Sequence, residues 1–163
     1  MADVFDAHSH AHLGPRPAAE RLVASAAHVG LACTRPGDWD AAEELHRLHA
    51  STTAVALGVH PWWAHEHPAG PDEWLGELRR RLEALPGAAV GECGLDKKWV
   101  PPGLDAVQYG EQAAAFAAQL ALAAELGRPL VVHCVKAYGD LFDRLRSAGA
   151  ALPPRGLLHS YGG

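Results

Sequence analysis

The sequence predicts an α/β fold in which parallel strands are joined by helices, and three observations predict it. Short apolar runs alternate with longer stretches of helical periodicity. The connections between them are short, which favours parallel strands and right-handed crossovers. One run after another ends in a histidine or a carboxylate. Six strand–helix units leave two arrangements open, a doubly wound open sheet or part of a closed barrel. No glycine-rich dinucleotide fingerprint follows the first run, which counts against the nucleotide-binding form of the open sheet.

The first strand is read at Val4-Phe5-Asp6-Ala7-His8-Ser9-His10, with Val4 and Phe5 as its buried start. Side chains on a strand alternate faces, so Asp6, His8 and His10 point one way and the two imidazoles become neighbours. Pro17 to His28 carries Leu22, Val23 and Ala26 on one helical face, with Gly30 as its C-terminal stop. Leu31 to Thr34 reads as a short strand. Asp38 then caps a helix from Trp39 to Ala50. Thr53 to Val59 is the third strand, ending in His60-Pro61-Trp62-Trp63. A helix is expected near Asp72 to Leu85, stopped by Pro86-Gly87, and a fourth strand over Ala88 to Cys93. Asp105 to Leu126 is a long helix closed by Gly127. Pro129 to Cys134 is a strand, Tyr138 to Ala148 a helix and Gly156 to Ser160 a sixth strand. The last four strands are continuous apolar runs, as expected where both faces are covered.

The 163 residues are 48% hydrophobic and 20% charged, an ordinary globular balance, and no linker or shift in composition divides them. One domain over residues 1–163 is expected. A net charge of −5 argues against broad electrostatic capture of nucleic acid, though not against a nucleic acid held at one site. Cys33, Cys93 and Cys134 are far apart and form no C-x-x-C pair, which fits a reducing compartment. No signal peptide is legible, and no apolar run approaches the roughly 20 residues of a membrane span. The expectation is a soluble, cytoplasmic protein with no membrane partner. Histidine is unusually abundant, with 11 copies and two tight groups, His8/His10/His12 and His65/His67.

The ends of the strands carry the functional argument. His8 and His10 close the first, His60 the third, Glu92 the fourth, His133 the fifth and His159 the sixth. In parallel α/β architectures these ends share one face, which in barrels holds the active site. A single His there is more often a hydrogen-bonded cap, and a lone Glu more often half of an ion pair. Several together suit Zn²⁺, Mn²⁺ or a related divalent ion. Lys97, Lys98 and Lys136 follow strands four and five, where they can neutralise phosphate. Trp62 and Trp63 offer faces on which a base can stack, or pack to close the mouth; one of the two is expected to pack.

DAHSHAH at 6–12, GVHP at 58–61, GECGLD at 91–96, the Q-x-x-x-F-x-x-QL pattern at 112–120, PLVVHC at 129–134 and LLHSYGG at 157–163 together resemble the TatD family of metal-dependent hydrolases, in the amidohydrolase-like class. The matches run in the family's order over nearly the whole chain. The resemblance implies a (β/α)8 TIM-type barrel, incomplete here with about six of its eight strand–helix units. It implies one or two divalent metal ions per site (Zn, Mg or Mn) and hydrolysis of DNA or another phosphodiester, often as a 3′→5′ exonuclease. It places His8 and His10 on the first metal, Glu92 between the two, and His133 and His159 on the second. His60 then lies beside the substrate phosphate, as Lys97 and Lys136 are expected to do.

Two departures from the family follow. The position two residues past the second histidine, usually Asp, is His12, expected to be solvated or to meet substrate differently. The family's metal-binding Asp at the end of the seventh strand, in an E-T-D-type motif, has no match in this sequence. A barrel of this type has about 250 residues, about 90 more than this chain. The expectations are a chain cut short, a chain closed by a partner, or a degenerate homologue acting as a binding or scaffold protein. Weak binding of the first metal, little turnover and self-association through open strand edges are expected with them. The enzymatic alternative is a related barrel hydrolase acting on a small ester, lactone or amide. Many of those relatives bridge their metals with a carboxylated lysine, where this chain has Glu92.

Overall fold

The computed structural model describes residues 4–67, 73–99, 106–159 and 161. In chain order the elements are β1 (Phe5–Ser9), α1 (Arg16–Ser25), β2 (His28–Ala32), α2 (Pro36–Leu48), β3 (Thr53–Leu57), α3 (Glu73–Ala84), β4 (Ala89–Asp96), α4 (Ala106–Glu125), β5 (Leu130–Val135), α5 (Tyr138–Ala148) and β6 (Gly156–His159). The six strands form one parallel sheet in the order β1-β2-β3-β4-β5-β6. Sequential order without reversal is the topology of a barrel, not of a doubly wound sheet. The sheet is also curled. Flat, its outer strands would stand about 24 Å apart at the usual spacing. Instead the His8 ring of β1 stacks on the His159 ring of β6, centroids 3.7 Å apart. The alternatives left open by the sequence therefore resolve to an incomplete (β/α)8-type barrel of six strands.

The core lies between this curl and its helices. Trp39, Ala42 and Leu45 recur along one face of α2, and Trp74, Leu78 and Leu82 along one face of α3; all are buried. The buried stripe of α4 is Gln112, Phe116, Gln119, Leu120 and Ala123. Two of the helix's three glutamines replace strand pairing where the ladder gives out. Gln119 accepts the Val59 N–H at 2.8 Å and donates to the Val59 carbonyl at 3.0 Å. Gln112 does the same at Asp96, accepting at 2.8 Å and donating at 3.2 Å. Buried backbone groups need such partners. Here they fix the C-terminal ends of β3 and β4.

Several elements differ from the sequence expectation. The first helix stops at Ser25, and the second strand begins at His28 rather than Leu31. Gly30 is not a helix stop. It lies inside β2, where an added Cβ would meet the Ala7 carbonyl oxygen of β1 at 2.5 Å. Asp38 is not the cap residue of α2. It sits in the helix's first turn and reaches back to accept the Thr34 N–H at 2.9 Å and the Arg35 N–H at 3.4 Å. Val4 and Phe5 are exposed rather than buried, Phe5 to 67%, because β1 is an edge of the sheet. β6, the other edge, is not covered on both faces: Gly156 and Leu157 are exposed. The most consequential difference is in β4, which runs three residues past Cys93 to Asp96. The expected helix starts Asp72 and Asp105 and the expected strand end Ser160 lie outside the described residues.

Among the described residues no helix is long and apolar enough to cross a membrane. Cys33, Cys93 and Cys134 are buried free thiols.

Candidate metal centre at the strand ends

Parallel strands of one register put their C-terminal side chains at one rim. His133 pairs in register with Gly94 of β4 on one side and with His159 of β6 on the other. Alternation along β4 turns Glu92, Gly94 and Asp96 to a common face. Glu92 is the centre of the cluster, 1% exposed and ringed by imidazoles. Its Oε2 stands 3.1 Å from His8 Nε2 and 3.5 Å from His10 Nε2. Its Oε1 stands 3.0 Å from His133 Nδ1 and 3.7 Å from His60 Nε2.

The hydrogen bonds fix what each ring offers. His10 Nδ1 donates to the Ala32 carbonyl at 2.7 Å. A neutral His10 therefore has a bare lone pair on Nε2, aimed at Glu92 Oε2 and at His8 Nε2, 3.3 Å away. Glu92 Oε2 is buried and has no hydrogen-bond partner. Ligand atoms bound at about 2.0–2.2 Å to one ion stand about 2.8–3.6 Å apart. The 3.1–3.5 Å spacings from His8, His10 and Glu92 fit a divalent cation among these three groups. His60 is different. Its Nδ1 accepts the Trp62 N–H at 3.1 Å, so in the neutral ring the hydrogen is on Nε2 and faces Glu92. It is a donor rather than a metal ligand in this state.

His133 is held between two carboxylates, with Nδ1 on Glu92 and Nε2 on Asp96 Oδ2 at 3.1 Å. His159 lies flat on His8, with its ring centroid 6.2 Å from that of His133. Lys97 is exposed and pairs with Asp140 at 3.1 Å. Lys136 is exposed just past β5 with a positive φ of 56°. His12 is buried rather than solvated, behind the rim. Of the two tryptophans, Trp63 is half-buried under the Arg35 guanidinium, 4.0 Å above its ring. Trp62 stays at the mouth, stacked on Trp99 with centroids 4.6 Å apart, and donates its indole N–H to Asp96 Oδ2 at 2.8 Å.

Asp96, Trp99, Gln112 and Gln119 were not read from the sequence as site residues. The available signal was the spacing from Glu92 to Asp96, which puts both carboxylates on one strand face once the strand is long enough.

The electrostatics follow from this packing. Burial alone would raise the Glu92 carboxyl, yet the hydrogen bond from His133 and the nearby His8 and His60 rings hold it well below the usual carboxylate range. Asp96 is likewise lowered, by Trp62 and His133 against its burial. Burial lowers His133, but Glu92 and Asp96 outweigh it and leave the imidazole raised. Burial pushes His60 down to about 3, with Glu92 and Asp96 opposing and His133 and His10 adding to the fall.

His60 thus stays neutral in the folded protein, whereas unfolded it titrates near 6.5. As pH falls below 6.5 the unfolded chain gains a proton that the folded chain refuses, so stability is lost toward acid. Between pH 7 and 5 this residue is expected to cost the metal-free protein about 1–2 kcal/mol. His133, shifted the other way, contributes stability at low pH that is lost as pH rises through its raised value. The two are separated by comparing thermal midpoints in chelator for wild type and His60→Gln. A variant with the same acid slope as wild type removes the assignment.

Residues 5–163 match the model of a family described as TatD related DNase. The Cut9-interacting protein scn1 of Schizosaccharomyces pombe is 28% identical over 199 residues, covering 89% of this chain and 59% of that protein. The 3′-5′ ssDNA/RNA exonuclease TatD of Enterobacter lignolyticus is 36% identical over 126 residues, covering 71% and 45%. The crystal structure of YJJV, a TatD homologue from Escherichia coli K12, superposes with a TM-score of 0.80 at 24% identity, covering 99% of this chain and 61% of that one. The chain spans about half the length of the curated relatives it matches.

Proposed function

We propose, from the premise that this chain belongs to the TatD related DNase family, that its strand-end cluster holds one or two divalent metal ions and serves the hydrolysis of phosphodiester bonds in single-stranded nucleic acid from the 3′ end. The observation that carries the reading is the convergence of His8 Nε2, His10 Nε2 and the unpartnered Glu92 Oε2. The relatives named as 3′-5′ ssDNA/RNA exonucleases support the substrate class. In this reading His8, His10 and Glu92 hold the first ion, and Glu92, His133 and His159 the second. Zn²⁺, Mg²⁺ and Mn²⁺ all suit imidazole with carboxylate. When bound, the ions lower the pKa of water and neutralise charge on the phosphate.

The remaining roles belong to the chain itself. His60 presents an N–H beside Glu92 and suits hydrogen bonding to a phosphate oxygen. His133 makes both of its carboxylate contacts as imidazolium, so it must release a proton to become a ligand. Lys136, and Lys97 once it leaves Asp140, neutralise the strand's phosphates. The Trp62–Trp99 pair, 37% and 38% exposed, is a stacking platform for a terminal base, oriented by the indole bond to Asp96.

The test uses a 5′-labelled single-stranded oligonucleotide and the 163-residue chain with Mn²⁺. Fluorescence anisotropy is expected to show binding that needs the metal and is abolished by EDTA and by His133→Ala. Trp99→Ala is expected to weaken it about 5- to 150-fold, the equivalent of about 1–3 kcal/mol of stacking. Because the family's seventh-strand Asp has no match in this sequence, little shortening of the labelled strand is expected; robust shortening from the 3′ end that His133→Ala abolishes would refute the need for that residue. Binding that ignores EDTA, or that His133→Ala leaves intact, overturns the reading.

A further inference from the structure

Behind the rim, the described residues gather a different set of ligating side chains: His12, Cys33 and Asp38. One donor atom from each lies within 4.8 Å of the other two, and all three residues are buried. They come from three consecutive pieces of chain, the turn after β1, the residue just past β2 and the first turn of α2. His12 is 7% exposed, and neither of its ring nitrogens has a hydrogen-bond partner. Its Nε2 faces Asp38 Oδ2 at 3.9 Å, too far for a hydrogen bond. A buried imidazole with both nitrogens unsatisfied is unfavourable unless something fills the gap. The carboxylate opposite is held in place by the Thr34 hydroxyl at 2.7 Å and the Thr34 N–H at 2.9 Å.

We propose that His12, Cys33 and Asp38 form a second metal site, separate from the rim, for Zn²⁺ or a similar borderline-soft divalent ion. The thiol sets the class. Thiolate with imidazole selects Zn²⁺ or Co²⁺ over the hard ions Mg²⁺ and Ca²⁺. Binding forms a metal–sulfur bond and releases the Cys33 thiol proton to solvent. One thiolate and one carboxylate then balance the two charges of the ion, leaving a neutral buried centre. Three protein ligands leave a fourth tetrahedral position open.

The place of the site gives it a consequence. The Ala32 carbonyl holds His10 Nδ1, and the next carbonyl, of Cys33, accepts the Glu92 N–H at 2.9 Å. An ion bound by Cys33 braces the short backbone segment that orients two rim residues.

Co²⁺ is the probe, because among the candidate ligand clusters of the described residues only this one contains sulfur. Titrating Co²⁺ into the full chain is expected to raise a near-ultraviolet sulfur-to-cobalt charge-transfer band whose final amplitude corresponds to one sulfur-bound ion per chain. Cys33→Ser is expected to abolish the band, whereas Cys93→Ser, Cys134→Ser and Glu92→Gln keep it. His12→Ala is expected to weaken Co²⁺ affinity read at that band by about 10-fold or more. A wild-type chain without the band, or a band undiminished in Cys33→Ser, overturns the site. Where circular dichroism shows Cys33→Ser unfolded, His12→Ala and Asp38→Asn decide, and an unchanged affinity in both overturns it.

Discussion

Glu92→Gln is expected to lower the affinity of this chain for Mn²⁺ by about 100-fold or more, read by isothermal titration calorimetry. Changes one shell out from a metal typically cost about 10- to 100-fold, and Glu92 is proposed as a direct ligand. Among the described residues it is the one carboxylate that approaches His8, His10, His60 and His133 together. Glutamine keeps the shape but removes the charge and can set an amide NH₂ against the His60 and His133 N–H groups, which need an acceptor. The same substitution is expected to return His133 toward an ordinary imidazole pKa, because Glu92 is a principal cause of its rise. An Mn²⁺ affinity within about threefold of wild type would show that the ion is not held at this carboxylate.

Gly94→Ala is expected to destabilise the protein by about 3 kcal/mol or more, lowering the thermal midpoint by about 6–12 °C. Gly94 has a φ of +141°, a conformation that L side chains rarely adopt, and a Cβ added there would run into the His133 carbonyl oxygen. Gly91, with φ +138°, faces the Val131 carbonyl in the same way. β4 needs both glycines to approach β5 this closely while turning Glu92 and Asp96 to the rim. The control is Gly87→Ala: Gly87 has open space around its Cβ position, and its φ lies outside the positive range. A Gly94→Ala midpoint within about 2 °C of that control would refute the account.

Much of this was legible from residue order alone. The strands carrying His133 and Glu92 are short apolar runs that start just after the turn residues Gly127 and Pro86-Gly87. The rim therefore follows from knowing that parallel strands share one C-terminal end. What was not legible depended on distances across the fold. Gly30 looks like a helix stop because a glycine after an apolar stretch usually is one, and only the packing of β1 against β2 shows the other use. Asp96 was passed over because Gly94 appears to end its strand, whereas the glycine is what lets the strand continue. Phe5 and Leu157 read as core because an apolar run does not reveal whether it lies at an edge. His12 read as solvated or substrate-facing because the residues that gather around it, Cys33 and Asp38, are 21 and 26 positions further along the chain.

The paired glutamines of α4 tie the outer layer to the chemistry at the mouth. Gln112 and Gln119 stand two turns apart on one rigid rod, and each clamps a different strand terminus. The separation between the segment leading to His60 and the segment carrying Asp96 is thereby set by a helical pitch rather than by loops. Sliding or tilting that rod would move both segments in concert and retune the hydrogen-bonding of His60 and His133 together.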